Sequence, residues 1–261
     1  GYHYSDSFIY GFSHTHLSGT GVSDYGDILV MPMNGLPSPD NKIYGSLFSH
    51  DNEKASAGYY SVKLADDNIN AEFTTTERAG MHHYTFSSAA EKNIILDLKH
   101  RDEVIESYIN IEDSVTITGL RRSKAWATNQ YVYFVMKFSQ PFTKSGIWND
   151  SKLAENQLYA SSKNLKAFFQ FSANGSNDIY VKVAISPVSV KGAKKNMLTE
   201  MPGWDFETVK AAATQKWETE LSKIDIRSDD KDKLKIFYTA LYHTAIVPNI
   251  NMDAGGQYRA V

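Results

Sequence analysis

The sequence predicts a mainly β protein, an antiparallel sandwich or barrel, with two amphipathic α-helices after it. Three observations carry this. Short β-rich runs alternate with turn signals from the start to about residue 189, with no helical pattern between them. Aromatic residues make up 13%, with 16 Tyr and 13 Phe against 4 Trp, and Tyr and Phe favour pleated, half-buried surfaces. Near residue 200 the apolar spacing changes to steps of three and four.

Taken in order, Ile28-Leu29-Val30-Met31 reads as a buried strand that ends at Pro32. Tyr59–Leu64 follows Gly58, alternates in polarity and stops at Asp66-Asp67-Asn68. Further strands are expected at Ala71–Glu77, His83–Phe86, Ile94–Leu98, Glu106–Ile109, Ser114–Leu120, Tyr131–Phe138, Leu165–Phe171 and Ile179–Ile185. Asn174-Gly175 lies between the last two and is a hairpin signal, in a loop lengthened by Ser176-Asn177-Asp178. Glu200-Met201-Pro202-Gly203 is a break. Asp205 to Lys223 then reads as helix, with Phe206, Val209, Ala213, Trp217 and Leu221 along one face. After the extended link Ile224-Asp225-Ile226, Ser228 serves as N-cap of a second helix, with Asp229 and Asp230 in its first turn. Its face is Leu234, Phe237, Tyr238, Leu241 and Ala245, and Pro248 stops it. Such helices must bury their faces against something, and only Asn249–Val261 follows, so the chain is expected to stop inside a larger protein.

Composition excludes several classes. With 42% hydrophobic residues the 261-residue chain is globular. Twenty-seven basic against 30 acidic residues give a net charge of −3, which argues against nucleic acid as a partner. Zero Cys excludes a disulfide framework, a thiolate metal site and a cysteine nucleophile. No run of about 18 apolar residues is present to span a membrane. The start at Gly1-Tyr2-His3, without Met or an apolar leader, reads as a trimmed or mature fragment.

The densest segment is Gly11 to Asp27. His14 and His16 share a face if the backbone is extended, as a metal-ligand or substrate-binding pair or as two hydrogen-bonded structural histidines. A zinc site would need a third ligand, and none is adjacent. Gly19, Gly21 and Gly26 allow close backbone approach, but their spacing is not a dinucleotide fingerprint. Asp24 and Asp27 suit hydroxyls, calcium or ordinary turns. In the stretch from Thr74 to Tyr84, Glu77 is a conceivable catalytic acid and Glu77-Arg78 more readily a structural ion-pair source, while Gly80 suggests a bend. No Gly-x-Ser-x-Gly elbow occurs. Arg121-Arg122-Ser123-Lys124-Ala125-Trp126 reads as a solvated turn. The Tyr-rich composition also suits a carbohydrate-facing surface, where flat rings stack on sugar C–H faces.

From Gly1-Tyr2-His3-Tyr4-Ser5-Asp6-Ser7 and Gly11-Phe12-Ser13-His14-Thr15-His16-Leu17-Ser18-Gly19-Thr20-Gly21, the sequence resembles glycoside hydrolase family 92. The resemblance continues through Ser23–Asp27, Phe48–His50, Glu53–Ser56, Gly58–Val62, Thr76–His82 and Phe237–His243, essentially the whole chain. The family consists of calcium-dependent exo-acting α-mannosidases, many cleaving α-1,2 linkages and serving N-glycan degradation. It pairs an N-terminal β-sandwich of the supersandwich type with an (α/α)6 barrel. The resemblance implies a sandwich over 1–200, its own first strands missing, a linker helix over 201–227, and over 228–261 the first helix of a barrel absent from this chain.

It further implies an inverting hydrolase whose Ca2+ ligands and catalytic acid and base come mainly from that barrel. No residue here is then assigned a catalytic or metal-binding role, and the chain alone is expected to be inactive. His14, His16, Ser18 and Asp24 are the residues expected to shape or contact the mannose pocket, at the sandwich–barrel interface. Partners are mannose-containing glycans and the chain's own barrel, and the location is secreted, periplasmic or cell-surface. Competing readings are a non-catalytic carbohydrate-binding module and, from His14 and His16 alone, a histidine-dependent metalloenzyme.

Overall fold

In a computed structural model, residues 2–17, 24–87 and 90–260 are described. The chain opens with β1 (Phe8–Ile9), β2 (Leu29–Asn34), the one-turn helix α1 (Asn41–Tyr44) and β3 (Ser46–Leu47). A meander follows, of β4 (Glu53–Ser56), β5 (Tyr59–Leu64), β6 (Ile69–Thr75) and β7 (Ala79–Phe86). Then come β8 (Lys92–Asp97), β9 (Glu103–Ile111), β10 (Thr116–Lys124), β11 (Gln130–Phe138) and β12 (Lys144–Asn149). The last strands are β13 (Lys152–Glu155), β14 (Tyr159–Ser161), β15 (Leu165–Phe171) and β16 (Asp178–Ser186). Helices α2 (Val190–Glu200), α3 (Phe206–Leu221) and α4 (Lys231–Thr244) end the chain.

The strands form an antiparallel sandwich. One sheet has nine strands in the order β14-β9-β10-β11-β16-β7-β6-β5-β4, the other five in the order β13-β12-β15-β8-β2. Alternation decides which side chains enter the space between them. Phe134 and Met136 of β11 and Val181 and Val183 of β16 point inward, against Ile94, Phe169 and Phe171 of the smaller sheet. Phe138 joins the two layers, 5.2 Å from Phe169 and 5.1 Å from Phe171 between ring centroids. Each such fully buried side chain contributes about 1.5–3 kcal/mol of hydrophobic stabilisation. The opposite face of the large sheet presents Ala79, Met81, Val135 and Ala184, which α2 and the start of α3 cover with Ala193, Met197, Met201 and Phe206.

Several local expectations differ from what is observed. Pro32 lies inside β2 and does not end it. Strand β2 is an edge of its sheet, and Val30 N–H already points outward to Phe12 O (2.9 Å). Two residues on, the Pro32 nitrogen faces the same outward side, so no ladder bond is lost. Asn174-Gly175 joins β15 to β16, which belong to different sheets, so the connection crosses between layers and is not a hairpin. Gly80 is an ordinary position within β7.

Helix α2 had no sequence signal: Gly192 and its lysines dilute the apolar stripe, and Ser189 supplies the cap by accepting from Gly192 N. Asp205 caps α3 through Thr208 N. Asp230, and not Ser228, caps α4, its carboxylate accepting from the N–H groups of Asp232 and Lys233. Leu234, Phe237, Tyr238, Leu241 and Tyr242 are the better-covered residues of α4, whereas Ala245, expected on that face, is exposed, and Ile236 on the other side is 68% exposed. Tyr242 packs on Trp217 of α3, 4.6 Å between centroids. No helix among the described residues is long and apolar enough to cross a membrane.

Candidate functional site

A cavity of about 1220 Å³ opens where the N-terminal segment, the β6–β7 turn and the 98–102 loop meet. Phe12, Tyr60 and Phe73 form an aromatic wall, with Phe12 and Phe73 4.1 Å apart between centroids. Both His14 and His16 line it.

The segment carrying these histidines is held by a short antiparallel pairing with the residues before β2. His14 N–H donates to Asp27 O (2.9 Å), Gly26 N–H to Thr15 O (3.1 Å), and His16 forms a bridge with Tyr25. His14 turns inward. Its Nδ1 lies 2.6 Å from Ile28 O and its Nε2 3.0 Å from Nε2 of His82, whose Nδ1 lies 2.7 Å from the Tyr84 hydroxyl. A carbonyl only accepts, so His14 carries its proton on Nδ1 and accepts at Nε2. His82 must then donate from Nε2 and accept at Nδ1 from Tyr84. Proton donation thus runs one way along the chain, from Tyr84 to Ile28. Burial lowers the His14 pKa to about 4, although its bond to Ile28 opposes this, and burial beside His14 holds His82 well below the usual value. Both rings are neutral, and the nitrogens of His14 are both engaged by protein atoms.

His16 is exposed in part, and its ring has no hydrogen-bond partner among the described residues. Partial burial lowers its pKa, with the Arg101 charge acting in the same direction. Ser18 lies outside the described residues. Asp24 is 4% exposed and faces the β10–β11 loop, accepting at Oδ2 from Ala127 N (3.1 Å) while Oδ1 is buried without a partner. It holds the far side of the loop, away from the cavity lining.

Three residues that the sequence did not single out shape the site. Arg121 is fully buried on β10, the opposite of a solvated turn residue, and pairs with both Asp27 and Asp102. The Asp27 carboxylate also accepts from Thr15 Oγ1 (2.7 Å) and from Gln130 Nε2. Burial raises the Asp27 pKa, opposed by Arg121 and by the Thr15 bond. Glu53, on the cavity wall, accepts from the hydroxyls of Tyr2 (3.0 Å) and Tyr60 (2.7 Å) and from His50 Nδ1 (2.6 Å). Although burial works against it, these bonds keep the Glu53 pKa below its ordinary value. His82 is the third, and its partner His14 lies 68 positions away in sequence.

The other acidic side chains of the cavity are also engaged. Glu77 pairs with Lys216 (2.6 Å) and Asp6 accepts from His3 N (2.9 Å). Arg78 donates to Glu200 (2.6 Å) and to Met252 O (2.6 Å), so Glu77 and Arg78 do form ion pairs, with the helices and not across the sheet. Among the described residues, no group of three or more His, Cys, Asp or Glu is arranged to hold a metal ion.

Residues 1–186 match the glycosyl hydrolase family 92 N-terminal domain, and residues 192–261 match the family 92 catalytic domain. The chain belongs to glycosyl hydrolase family 92. The second match begins within α2, so the family's catalytic domain starts on the helix that covers the sandwich. A family GH92 α-mannosidase from Bacteroides thetaiotaomicron superposes over 99% of this chain with a TM-score of 0.92 and 36% identity. A family GH92 inverting mannosidase from the same organism superposes over 99% with a TM-score of 0.89 and 25% identity. A protein of Arthroderma benhamiae described as an uncharacterized secreted glycosidase is 28% identical over 93% of the chain. The chain spans 37%, 35% and 36% of these three proteins respectively, just over a third of each.

Proposed function

We propose that the chain is the sandwich and the opening of the catalytic domain of an exported, calcium-dependent α-mannosidase. The enzyme removes terminal α-linked mannose, with α-1,2 linkages as its substrate, and inverts the anomeric configuration. The paired match to both family 92 domains carries this reading. Likeness to an α-mannosidase and to an inverting mannosidase supports the reaction, and likeness to a secreted glycosidase supports export.

No calcium cage forms among the described residues. The cavity carboxylates Asp6, Glu53 and Glu77 are each bound to protein donors, and no metal-holding group assembles among the described residues. In this reading the calcium ligands, the general acid and the general base belong to the rest of the catalytic domain. Inverting enzymes keep those two carboxyl groups about 6.5–9.5 Å apart, so that water reaches the sugar face opposite the leaving group.

This chain supplies the wall. Rings of Phe12, Tyr60 and Phe73 pack on sugar C–H faces and exclude water from them. His16 presents free ring nitrogens to sugar hydroxyls, while His14, kept neutral by its burial, keeps the floor uncharged. Asp24 braces the segment from outside the cavity, through Ala127 N, and Ser18 is assigned to the mannose pocket by the family resemblance alone.

The test is mannose release from α-1,2-mannobiose, with and without EDTA, by the full-length enzyme and by residues 1–261 alone. EDTA-sensitive release by the full-length enzyme and none by the chain is expected. Vigorous EDTA-sensitive release by the chain alone refutes the division of labour. Saturable calorimetric binding of mannose oligosaccharides by the chain, with no hydrolysis by the full-length protein, favours a carbohydrate-binding module instead.

A further inference from the structure

Arg101 occupies a corner of the cavity beside His16, His100 and Gly26. Its backbone has φ 81°, a left-handed conformation uncommon for a residue with a long side chain. The surroundings enforce it. Arg121 donates from Nε to Leu98 O (2.8 Å) and from Nη2 to His100 O (2.7 Å) and Asp102 O (3.3 Å). Asp97 Oδ1 accepts from the N–H groups of Lys99 (2.7 Å) and His100 (3.1 Å). The residues on both sides of Arg101 are therefore tied to buried groups, and the strain is stored locally. Strain of this kind persists where the fold over-determines it, and it concentrates at ligand-binding positions.

The stem of Arg101 is also aimed. It lies on Gly26, where an added Cβ would sit 3.0 Å from Arg101 Cγ and 3.2 Å from its Cβ. Gly26 itself has φ 89°, so glycine is needed there for conformation and for space. At the end of this braced stem the guanidinium is exposed, with no hydrogen bond or ion pair among the described residues. Arg78 and Arg121, the other arginines near the cavity, are each paired with a carboxylate.

We propose that Arg101 is a specificity residue for the glycan, its guanidinium donating to adjacent hydroxyls of the sugar next to the one that is cleaved; this rests on the hydrolase reading above. The planar fork of Arg spans two neighbouring oxygens, a fit that a Lys ammonium does not offer. Arg101 stands at the open rim, whereas His14 and His82 form the inner wall, so the sugar it meets is the outer one. The ligand is neutral. Asp6, Glu53 and Glu77 on the lining outnumber Arg78 and Arg101, so the wall carries no positive field that would draw an anion.

The experiment compares α-1,2-mannobiose with an aryl α-mannoside, which lacks the second sugar, in full-length enzyme carrying Arg101→Gly or Arg101→Lys. Arg101→Gly removes the side chain and suits the left-handed backbone, so folding is not at risk. It is expected to raise KM for the disaccharide about tenfold or more, as for loss of hydrogen bonds from a charged donor, and to leave the aryl substrate within about twofold. Arg101→Lys falls between. Equal losses on both substrates, or no loss on either, overturn the proposal. Turnover of a different terminal sugar refutes the mannose reading alone, because the same comparison on that sugar's disaccharide and aryl glycoside still decides Arg101. No turnover and no calorimetric binding of any saccharide overturns both.

Discussion

Asp27 and Arg121 stand 94 residues apart in sequence and form an ion pair with no solvent exposure on either side chain. Through the same guanidinium, Arg121 binds Asp102 and the carbonyls of Leu98 and His100, so one buried cation fastens the base of the histidine loop to the 98–102 loop. Removing one partner of a buried pair leaves an uncompensated charge, which costs far more than the pair contributes. Arg121→Met is expected to destabilise the chain by about 3–5 kcal/mol, read by urea unfolding. A loss under about 1 kcal/mol would show that water or a neighbouring group takes over the role of Arg121.

That pair also marks the limit of what the residues reveal on their own. Strands Tyr59–Leu64 and Leu165–Phe171 were readable to the residue, because alternation of apolar with polar positions is a local signal. So was the covered face of α4, which follows helical spacing. Helix α2 was not, since its stability comes from the Met81 and Val135 surface it covers, not from its own pattern. In the site, His14 and His16 stood out through their spacing. Arg121 gave no such signal: a cluster of three basic residues looks solvated unless Asp27 and Asp102 are known to converge on one of them. His82 and Arg101 depend in the same way on partners from distant strands or on backbone conformation, which spacing does not encode.

His50 fixes the N-terminal segment in a pH-dependent manner. Nδ1 faces the Glu53 carboxylate (2.6 Å) and Nε2 faces Tyr4 O (2.6 Å), and both are acceptors, so the ring must be an imidazolium. The Tyr4 ring stacks on it at 4.2 Å. The bonds to Glu53 and Tyr4 raise the His50 pKa, and Glu53 is lowered. A raised histidine stabilises fully below its unfolded value of about 6.5 and ceases to as pH rises through the folded value. The lowered Glu53 contributes above its ordinary range and is lost as pH falls through its folded value. Hydrogen-exchange protection of residues 2–10, taken relative to the intrinsic rate at each pH, should therefore be greatest near pH 5–6 and fall toward alkaline pH. His50→Gln should abolish that alkaline step, and an NMR midpoint for His50 at or below about 6.5 contradicts the assignment.

The His14–His82 pair predicts the opposite slope. Both rings are neutral when folded and take up protons when unfolded, so stability falls as pH drops below about 6.5; the part due to His14 is complete once that ring titrates at about 4, and His82 acts in the same direction. The shift of His14 sets a change of roughly 2–3 kcal/mol across that window. Thermal unfolding at pH 4.5 and 7 measures it. His82→Phe should weaken the slope and also leave His14 Nε2 without its donor, at a cost of about 1–3 kcal/mol at neutral pH. An unchanged slope in that variant would mean that the two histidines are not the protons being counted.

Asp253 returns the chain's end to the sandwich, and Gly192 makes room for it. The Asp253 carboxylate is buried in the first turn of α2, accepting from Ser186 Oγ (2.8 Å) and Asn196 Nδ2 (2.9 Å). A helix N-terminus favours an anion there. A Cβ added at Gly192 would stand 2.1 Å from Asp253 Oδ2 and 2.6 Å from Ser186 Oγ, a separation that non-bonded atoms do not reach. Helix propensity alone makes Gly192→Ala stabilising by about 1 kcal/mol. The contact reverses the sign: the alanine must push Asp253 out of its site, forfeiting two buried hydrogen bonds worth about 1 kcal/mol each or leaving their partners unpaired at higher cost. Gly192→Ala should therefore lower the melting temperature and speed hydrogen exchange at 252–257, whereas in an Asp253→Gly background, where those bonds are already gone, the same change should cost clearly less. A melting temperature raised by Gly192→Ala alone would show that Asp253 is not seated against α2.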